Sequence, residues 1–339
     1  MSKMQAFLVE KPLEASVVSL DIPTPGEDEI LLEVKAAGVC GTDIHIYKGE
    51  YLGTYPRVPG HEFSGVVAAV GSKVTRFQPG QRVAADPNIF CEACDACKQN
   101  NQNFCTDFAA VGVTRHGAFA QYLTVPERCV FDIGGLSFTE GSLIEPLSCV
   151  VFGQQQGGIP LGAHVLVIGA GPIGLMHIQL AAMNGAASVT ATDLFPQKLE
   201  LARQLGADFA YTSQEFESAS PAGKYEVVID CTGVPKVVEG AVRYVKDGGK
   251  LLLFGVCPEG SRISVDPYEI FHRQLTLTST YALKKTFGIA LDLLKNGKIK
   301  VLPLVGGRHT LDEAPGTFHS MLDSNSGLKQ VFYPNGIIE

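Results

Sequence analysis

The sequence predicts an α/β protein in two parts, a β-rich module and a doubly wound parallel sheet. Three observations carry this expectation. The first third is a series of short apolar or alternating runs divided by Gly and Pro, the pattern of strands joined by tight turns. From near residue 150 the chain alternates apolar strands with helical stretches, as a parallel sheet with crossover helices requires. The 339 residues also exceed what one hydrophobic core usually supports.

Taken in order, "QAFLVE", "EILLEVKAAGV", "FSGVVAAVG", "QRVAAD" and "AFAQYLTVP" read as strands of the first module. "AHVLVIGAGPIGLMHIQLAAMNGAASVTATD" reads as a buried strand, a glycine turn, a helix and a second strand. "FPQKLELARQLGAD" is helical, "YEVVIDCTG" a strand, "PKVVEGAVRYV" helical, and "GKLLLFGV" and "QLTLTSTYA" are strands. Beyond residue 284, "KTFGIALDLLKNGKI" reads as a helix and "KQVFYP" as a strand, a tail able to pack back on the first module.

Composition narrows the function. Hydrophobic residues are 45% and charged residues 18%, ordinary for a globular enzyme. A formal net charge of −8 argues against a nucleic-acid or anionic-membrane partner. No apolar run of 18 residues predicts a membrane span, and the N-terminus has no signal-peptide core. Four of the nine cysteines fall within fifteen residues. Such a cluster points to metal and to a reducing, cytoplasmic compartment.

Gly169-Ala170-Gly171-Pro172-Ile173-Gly174 fits G-x-G-x-x-G between an apolar strand and a helix. Gly169 permits the tight turn, Gly171 lets backbone approach a pyrophosphate, and Gly174 lets the helix pack on the strand. The helix N-terminus then offers free N–H groups to the phosphates. Asp193 ends the next strand, 19 residues beyond Gly174. An acid there accepts from a ribose 2′-hydroxyl and repels a 2′-phosphate, so NAD is expected over NADP.

Cys91, Cys94, Cys97 and Cys105 read C-x2-C-x2-C-x7-C. Four thiolates on one loop can close a tetrahedron around a structural zinc. An iron–sulfur cluster is the rival, but the last gap is seven and Thr106 follows, unlike the ferredoxin run. Cys40, His61 and one carboxylate would make a second, open zinc site. Glu62 and Glu145 are both candidates for that carboxylate. His61 and Glu62 are neighbours after Pro59-Gly60, so sharing one metal needs a bent segment.

"GVCGTDIH", "PGHEFSGVVAAVG", the four-cysteine loop, "IEPLSC" and "VLVIGAGPIGL", in that order, resemble the zinc-dependent medium-chain alcohol dehydrogenases, in the sorbitol and polyol branch. The resemblance covers essentially the whole chain. It implies a GroES-like β-rich catalytic domain over residues 1–153 and 284–339 and a Rossmann NAD-binding domain over 154–283. It implies two zincs per chain, a catalytic one on Cys40, His61 and Glu62, and a structural one on the four-cysteine loop. Glu145 would orient the water at the catalytic zinc or exchange with it as ligand. Thr42 and His45 would relay the proton of a secondary alcohol to solvent, while its hydride passes to NAD. Cys231, Gly233, Phe254, Val256 and Ser279 follow or end strands where cofactors of open α/β sheets gather. The substrate would be a polyol or sugar-derived alcohol, with a threonine, sugar-acid or polyol-phosphate dehydrogenase or a non-catalytic nicotinamide sensor as the alternatives, and a homo-oligomer, dimer or tetramer, is expected.

The resemblance frays at one place. Sorbitol dehydrogenases carry an arginine after the last Rossmann strand, where this chain reads "TYALKKTF". Tyr281, Lys284 and Lys285 are the residues that would stand near the substrate there. Arg57 is a further possible anion contact, and His116 reads as a loop residue.

Overall fold

The computed structural model describes residues 2–50, 54–219, 222–323 and 327–337. The chain divides into two units, Met1–Ser148 with Leu283–Gly297 and Val301–Glu339, and Cys149–Ala282 with Lys298–Lys300.

The first unit is built on a seven-stranded sheet. Its order is Val305–Thr310, Lys329–Tyr333, Glu29–Gly38, Glu62–Val70, Arg82–Ala85 and Val130–Asp132, with Tyr122–Pro126 also paired to Glu29–Gly38. The central strand buries alternate residues, Ile30, Leu32 and Val34, as a pleated strand with one core face must. Phe7, Phe119, Phe318 and Phe332 pack together in the core, with ring centroids 4.7 Å apart for the tilted pair Phe7–Phe318 and 5.2 Å for the T-shaped pair Phe119–Phe332. The strand Lys329–Tyr333 lies antiparallel to Glu29–Gly38, with Val331 opposite Gly38. That register brings Lys329, distant in sequence, next to the segment that carries Cys40.

The helices Gly41–Lys48, Phe138–Ser142, Ile144–Gly157 and Ala314–Asp323 were not anticipated. The longest, Ile144–Gly157, buries residues on nearly every side, so no amphipathic period marks it.

The second unit is a six-stranded sheet, parallel throughout, in the order Phe209–Thr212, Ser188–Asp193, His164–Ile168, Tyr225–Asp230, Val245–Leu253, Thr276–Ser279. Helices Pro172–Met183, Pro196–Gln204 and Pro235–Ala241 lie between successive strands. The outer strand Phe209–Thr212 was missed because its four residues bury only Ala210 fully. No helix among the described residues is long and apolar enough to cross a membrane.

His177 is a titratable residue in the core of this unit. His177, on the helix that leaves the glycine turn, is fully buried. Its ring meets Phe254 edge-on at 4.6 Å. Gln154 Nε2 donates to the His177 carbonyl at 2.7 Å, and Nε2 of the imidazole has no partner among the described residues. Burial pushes the imidazole down to about 3. The unfolded chain therefore binds a proton that the folded chain refuses, and the stability this residue allows is complete above about pH 6.5. It should fall by about 1.4 kcal/mol per pH unit between about 6.5 and 3. The substitution His177→Leu should flatten the acid side of the stability profile, read as urea midpoints at neutral pH and at pH near 5. An unchanged profile would mean that His177 does not carry this slope.

Candidate active site

The first metal-capable cluster forms on a short helix. Cys40 caps Gly41–Lys48, and Asp43 in its first turn reaches back to accept from the Cys40 backbone N–H at 2.9 Å. The second oxygen of Asp43 accepts from Gly60 N–H at 2.9 Å. One carboxylate thus fixes both segments that carry candidate ligands. It also lies 3.3 Å from His61 Nδ1, close but not aligned for a hydrogen bond. A carboxylate behind a histidine is how metal-binding imidazoles are oriented.

Glu62 opens the next strand, opposite Gly38. A side chain at position 38 would come within 2.3 Å of Glu62 Oε2, so glycine leaves the carboxylate its space. Cys40, His61 and Glu62 each place one ligand atom within 4.8 Å of the other two. Glu62 Oε1 accepts from Lys329 Nζ at 2.7 Å, while Oε2 is buried with no hydrogen-bond partner among the described residues. An orphaned carboxylate oxygen between a thiol and an imidazole is a donor set that suits zinc. Burial opposes charge on His61, but Asp43 and the Cys40 sulfur outweigh it and hold the imidazole well above its ordinary value. Burial likewise opposes charge on Lys329, and Glu62 and Cys40 more than restore it.

Thr42 and His45 are three apart on the same helix and so share a face. His45 Nδ1 lies 2.8 Å from Glu50 Oε2 at the surface. Glu145 is buried in the first turn of Ile144–Gly157 but stands outside the cluster of three. His116 Nδ1 accepts from Val58 N–H at 3.1 Å, and burial, then Arg57, lowers it. The lysines of "ALKKTF" are engaged elsewhere. Lys284 Nζ donates to Asn101 Oδ1 at 3.0 Å, and Lys285 Nζ donates at 2.9 Å to Gln102 once its amide is oriented for it. Both meet the tail of the four-cysteine loop.

That loop gathers all four sulfurs. Cys91 and Cys97 lie 4.0 Å apart and Cys94 and Cys105 3.9 Å. A tetrahedron of sulfurs with bonds of about 2.3 Å to zinc has edges of about 3.8 Å. Backbone N–H groups of Thr106 and Cys97 lower the Cys94 thiol to about 6, while burial pushes Cys97 up to about 12.

In the second unit the glycine turn forms at the end of His164–Ile168. A side chain at Gly174 would come within 1.8 Å of the Gly169 carbonyl, so helix and strand pack only through glycine there. At Gly171 nothing lies within 4 Å of where a side chain would begin, and Pro172 starts the helix, followed by Ile173. Asp193 ends its strand, accepting from Ala170 N–H at 2.8 Å and Phe195 N–H at 3.0 Å, with Lys198 Nζ 3.8 Å away. Cys231 N–H donates to the Ile168 carbonyl at 2.8 Å. Gly233 packs against Gly255 and Val256, Phe254 N–H donates to Asp230, and Ser279 ends the last strand. The candidate cofactor residues from Gly169 to Val256 thus meet at the carboxyl ends of adjacent strands. Sequence reasoning missed Asp43, Lys329, Lys198 and Asp230. Asp43 alone had a local signal, its place three residues after the capping Cys40.

Residues 26–135 match the family described as alcohol dehydrogenase GroES-like domain, and residues 172–296 the family described as zinc-binding dehydrogenase. The chain is 34% identical to D-arabinitol dehydrogenase 1 of Uromyces fabae, over 98% of each. It is 39% identical to D-altritol 5-dehydrogenase of Agrobacterium fabrum, over 92% of this chain and 91% of that one. The chain belongs to the zinc-dependent medium-chain alcohol dehydrogenases, in their polyol dehydrogenase branch. Its fold is the GroES-like domain with a Rossmann domain. A zinc-binding dehydrogenase from Sinorhizobium meliloti, bound to NADP, superimposes with a TM-score of 0.94 at 34% identity, over 98% of this chain and all of that one. This dehydrogenase is therefore an oxidoreductase that works with a nicotinamide cofactor.

The buried pair Lys329–Glu62 gives a test of the metal site. Removing one partner of such a pair costs about 3–5 kcal/mol. The substitution Lys329→Met should lower stability by about that much after chelation, and by clearly less in zinc-loaded protein, where the orphaned carboxylate regains a cation. Thermal unfolding of both forms reads this out. An equal loss with and without zinc would remove Glu62 from the site.

Proposed function

We propose that this enzyme oxidises a secondary alcohol of a polyol to the ketone, with NAD as acceptor. The observation that carries the proposal is the buried cluster of Cys40, His61 and Glu62, in a chain whose relatives bear the names of arabinitol and altritol dehydrogenases. Those three residues hold the catalytic zinc, Glu145 flanks it, and Cys91, Cys94, Cys97 and Cys105 hold a structural one. When bound, zinc supplies Lewis acidity that eases loss of the alcohol proton, and the nicotinamide accepts the hydride. The first unit serves as the catalytic domain and the second as the cofactor domain.

Asp43 orients His61 and fixes the spacing between positions 40 and 60. Thr42 takes the hydroxyl proton as it hands its own on toward His45, which releases one to solvent, with Glu50 at its ring nitrogen. The glycine turn receives the pyrophosphate on the N-terminus of Pro172–Met183. Asp193 accepts from the adenosine ribose and disfavours a 2′-phosphate, so NAD is preferred here although a neighbour of the same fold is bound to NADP. Thiol ligands must stay reduced, which supports a cytoplasmic home. The outer strand Thr276–Ser279 and the exposed Tyr268 and Phe271 on the preceding helix support assembly with further copies of the chain.

A substrate panel with metal analysis on one preparation tests this reading. Oxidation of polyols with NAD, with about two zincs per chain, is the expected result. The variant Asp193→Asn should lower the NAD-to-NADP preference about tenfold, the worth of a hydrogen bond to a charged group. Turnover of primary alcohols alone, or equal use of both cofactors by the wild type, would overturn it.

A further inference from the structure

A pocket of about 360 Å³ opens in the first unit, and neither the metal cluster nor the glycine turn lines it. Its volume falls in the range of small-molecule sites, about 300–1,000 Å³. Leu20 of the strand Glu14–Asp21, Leu123 of the strand Tyr122–Pro126 and Val58 supply an apolar wall. Asp21, Arg115 and His116 supply the charged and polar groups. A bridge between Ala6 and Ala120 ties the N-terminal hairpin to this wall.

Two of the polar groups are held in place by bonds to the protein. Arg115 Nη2 donates to Glu29 Oε1 at 2.7 Å, which leaves Nε and Nη1 of the guanidinium without a partner among the described residues. Val58 N–H donates to His116 Nδ1 at 3.1 Å, so the neutral imidazole carries its proton on Nε2. Burial, then Arg57, holds this imidazole below its ordinary value, so Nε2 is a neutral donor. The acids beside the pocket already have cations. Asp21 pairs with Lys3 at 2.9 Å and Glu29 with Arg115. Arg57, next to Val58 in the chain, pairs with no acid among the described residues, and its Nε is buried without a partner. The charge left unmatched at this place is therefore positive, and it stands beside idle N–H donors.

We propose that this pocket is a second ligand site, separate from the active site, which takes a small carboxylate with an apolar body. The free donors of Arg115 and Nε2–H of His116 meet the carboxylate, and Leu20, Val58 and Leu123 cover the body. A guanidinium presents paired donors in one plane, the geometry that a carboxylate matches. An inorganic anion leaves the apolar wall uncovered, and an uncharged polyol leaves the positive charge unmatched. The inference does not depend on which alcohol the enzyme oxidises.

The test titrates the zinc-loaded enzyme with benzoate, benzamide and acetate by calorimetry, with and without saturating NADH. Benzoate should bind about tenfold more tightly than benzamide, its uncharged counterpart, and about tenfold more tightly than acetate, which lacks the ring. Its Kd should stay within about twofold when NADH is bound, because the two sites share no residue. The variant Arg115→Gln keeps an amide donor for Glu29 and removes the charge. It should weaken benzoate about tenfold and leave benzamide within about twofold. Leu20→Glu sets an acid in the wall with Arg115 intact, and should weaken benzoate by a similar factor, so the test survives if one variant folds poorly. Equal affinity for benzoate and benzamide, displacement of benzoate by NADH, unchanged benzoate affinity in the folded variants, or no benzoate binding up to about 10 mM would each overturn the assignment.

Discussion

The carboxylate of Asp43 is the constraint on which the rest of the site depends. It is fully buried, yet its oxygens hold backbone N–H groups on both sides, at Cys40 and at Gly60. The two amide donors satisfy a buried carboxylate that has no ammonium partner among the described residues. Those bonds settle how the helix Gly41–Lys48 starts and where the chain enters the strand Glu62–Val70. His61 and Glu62 are neighbours that would diverge on a regular strand. They converge because His61 stands just before the strand and Glu62 is its first residue. Pro59 and Gly60 bend the chain there, and Gly60 holds the left-handed φ of 97°.

The second unit uses the same device. Asp193 accepts from Ala170 within the glycine turn, and Asp230 accepts from Thr232 and Gly233 in the turn after its own strand. Each acid sits at the carboxyl end of a parallel strand and ties down a neighbouring loop. The loops at that edge therefore have their backbone donors directed before any cofactor arrives. Preorganisation of this kind lowers the ordering cost of binding.

Much of this was legible in the chain because it is local. The glycine fingerprint, the four-cysteine loop and the parallel α/β alternation each fall within a few tens of residues, and each has a period or spacing of its own. Cys40, His61 and Glu62 could be named as candidates for the same reason. What escaped was long-range or short. Lys329 reaches Glu62 across 267 positions, and only the register of the last strand on Glu29–Gly38 brings them together. Asp86 lies in "QRVAADPN", where nothing marks one buried acid among turn residues. Helices such as Phe138–Ser142 are too brief for a period to emerge. Lys284 and Lys285 looked free in the sequence, because a lysine's partner is rarely its neighbour, and both proved to anchor the cysteine loop.

Charge balance links these long-range findings to the chemistry. Asp43, Glu62, Asp86 and Glu145 are all buried in one unit, and the buried ammonium of Lys329 pairs with Glu62. The local surplus is negative. Burial opposes charge on His61, yet Asp43 and the Cys40 sulfur hold its imidazole well above the ordinary value, and at Asp86 burial first, then Glu145, pushes the carboxyl up. A divalent cation held by Cys40, His61 and Glu62 would offset that surplus.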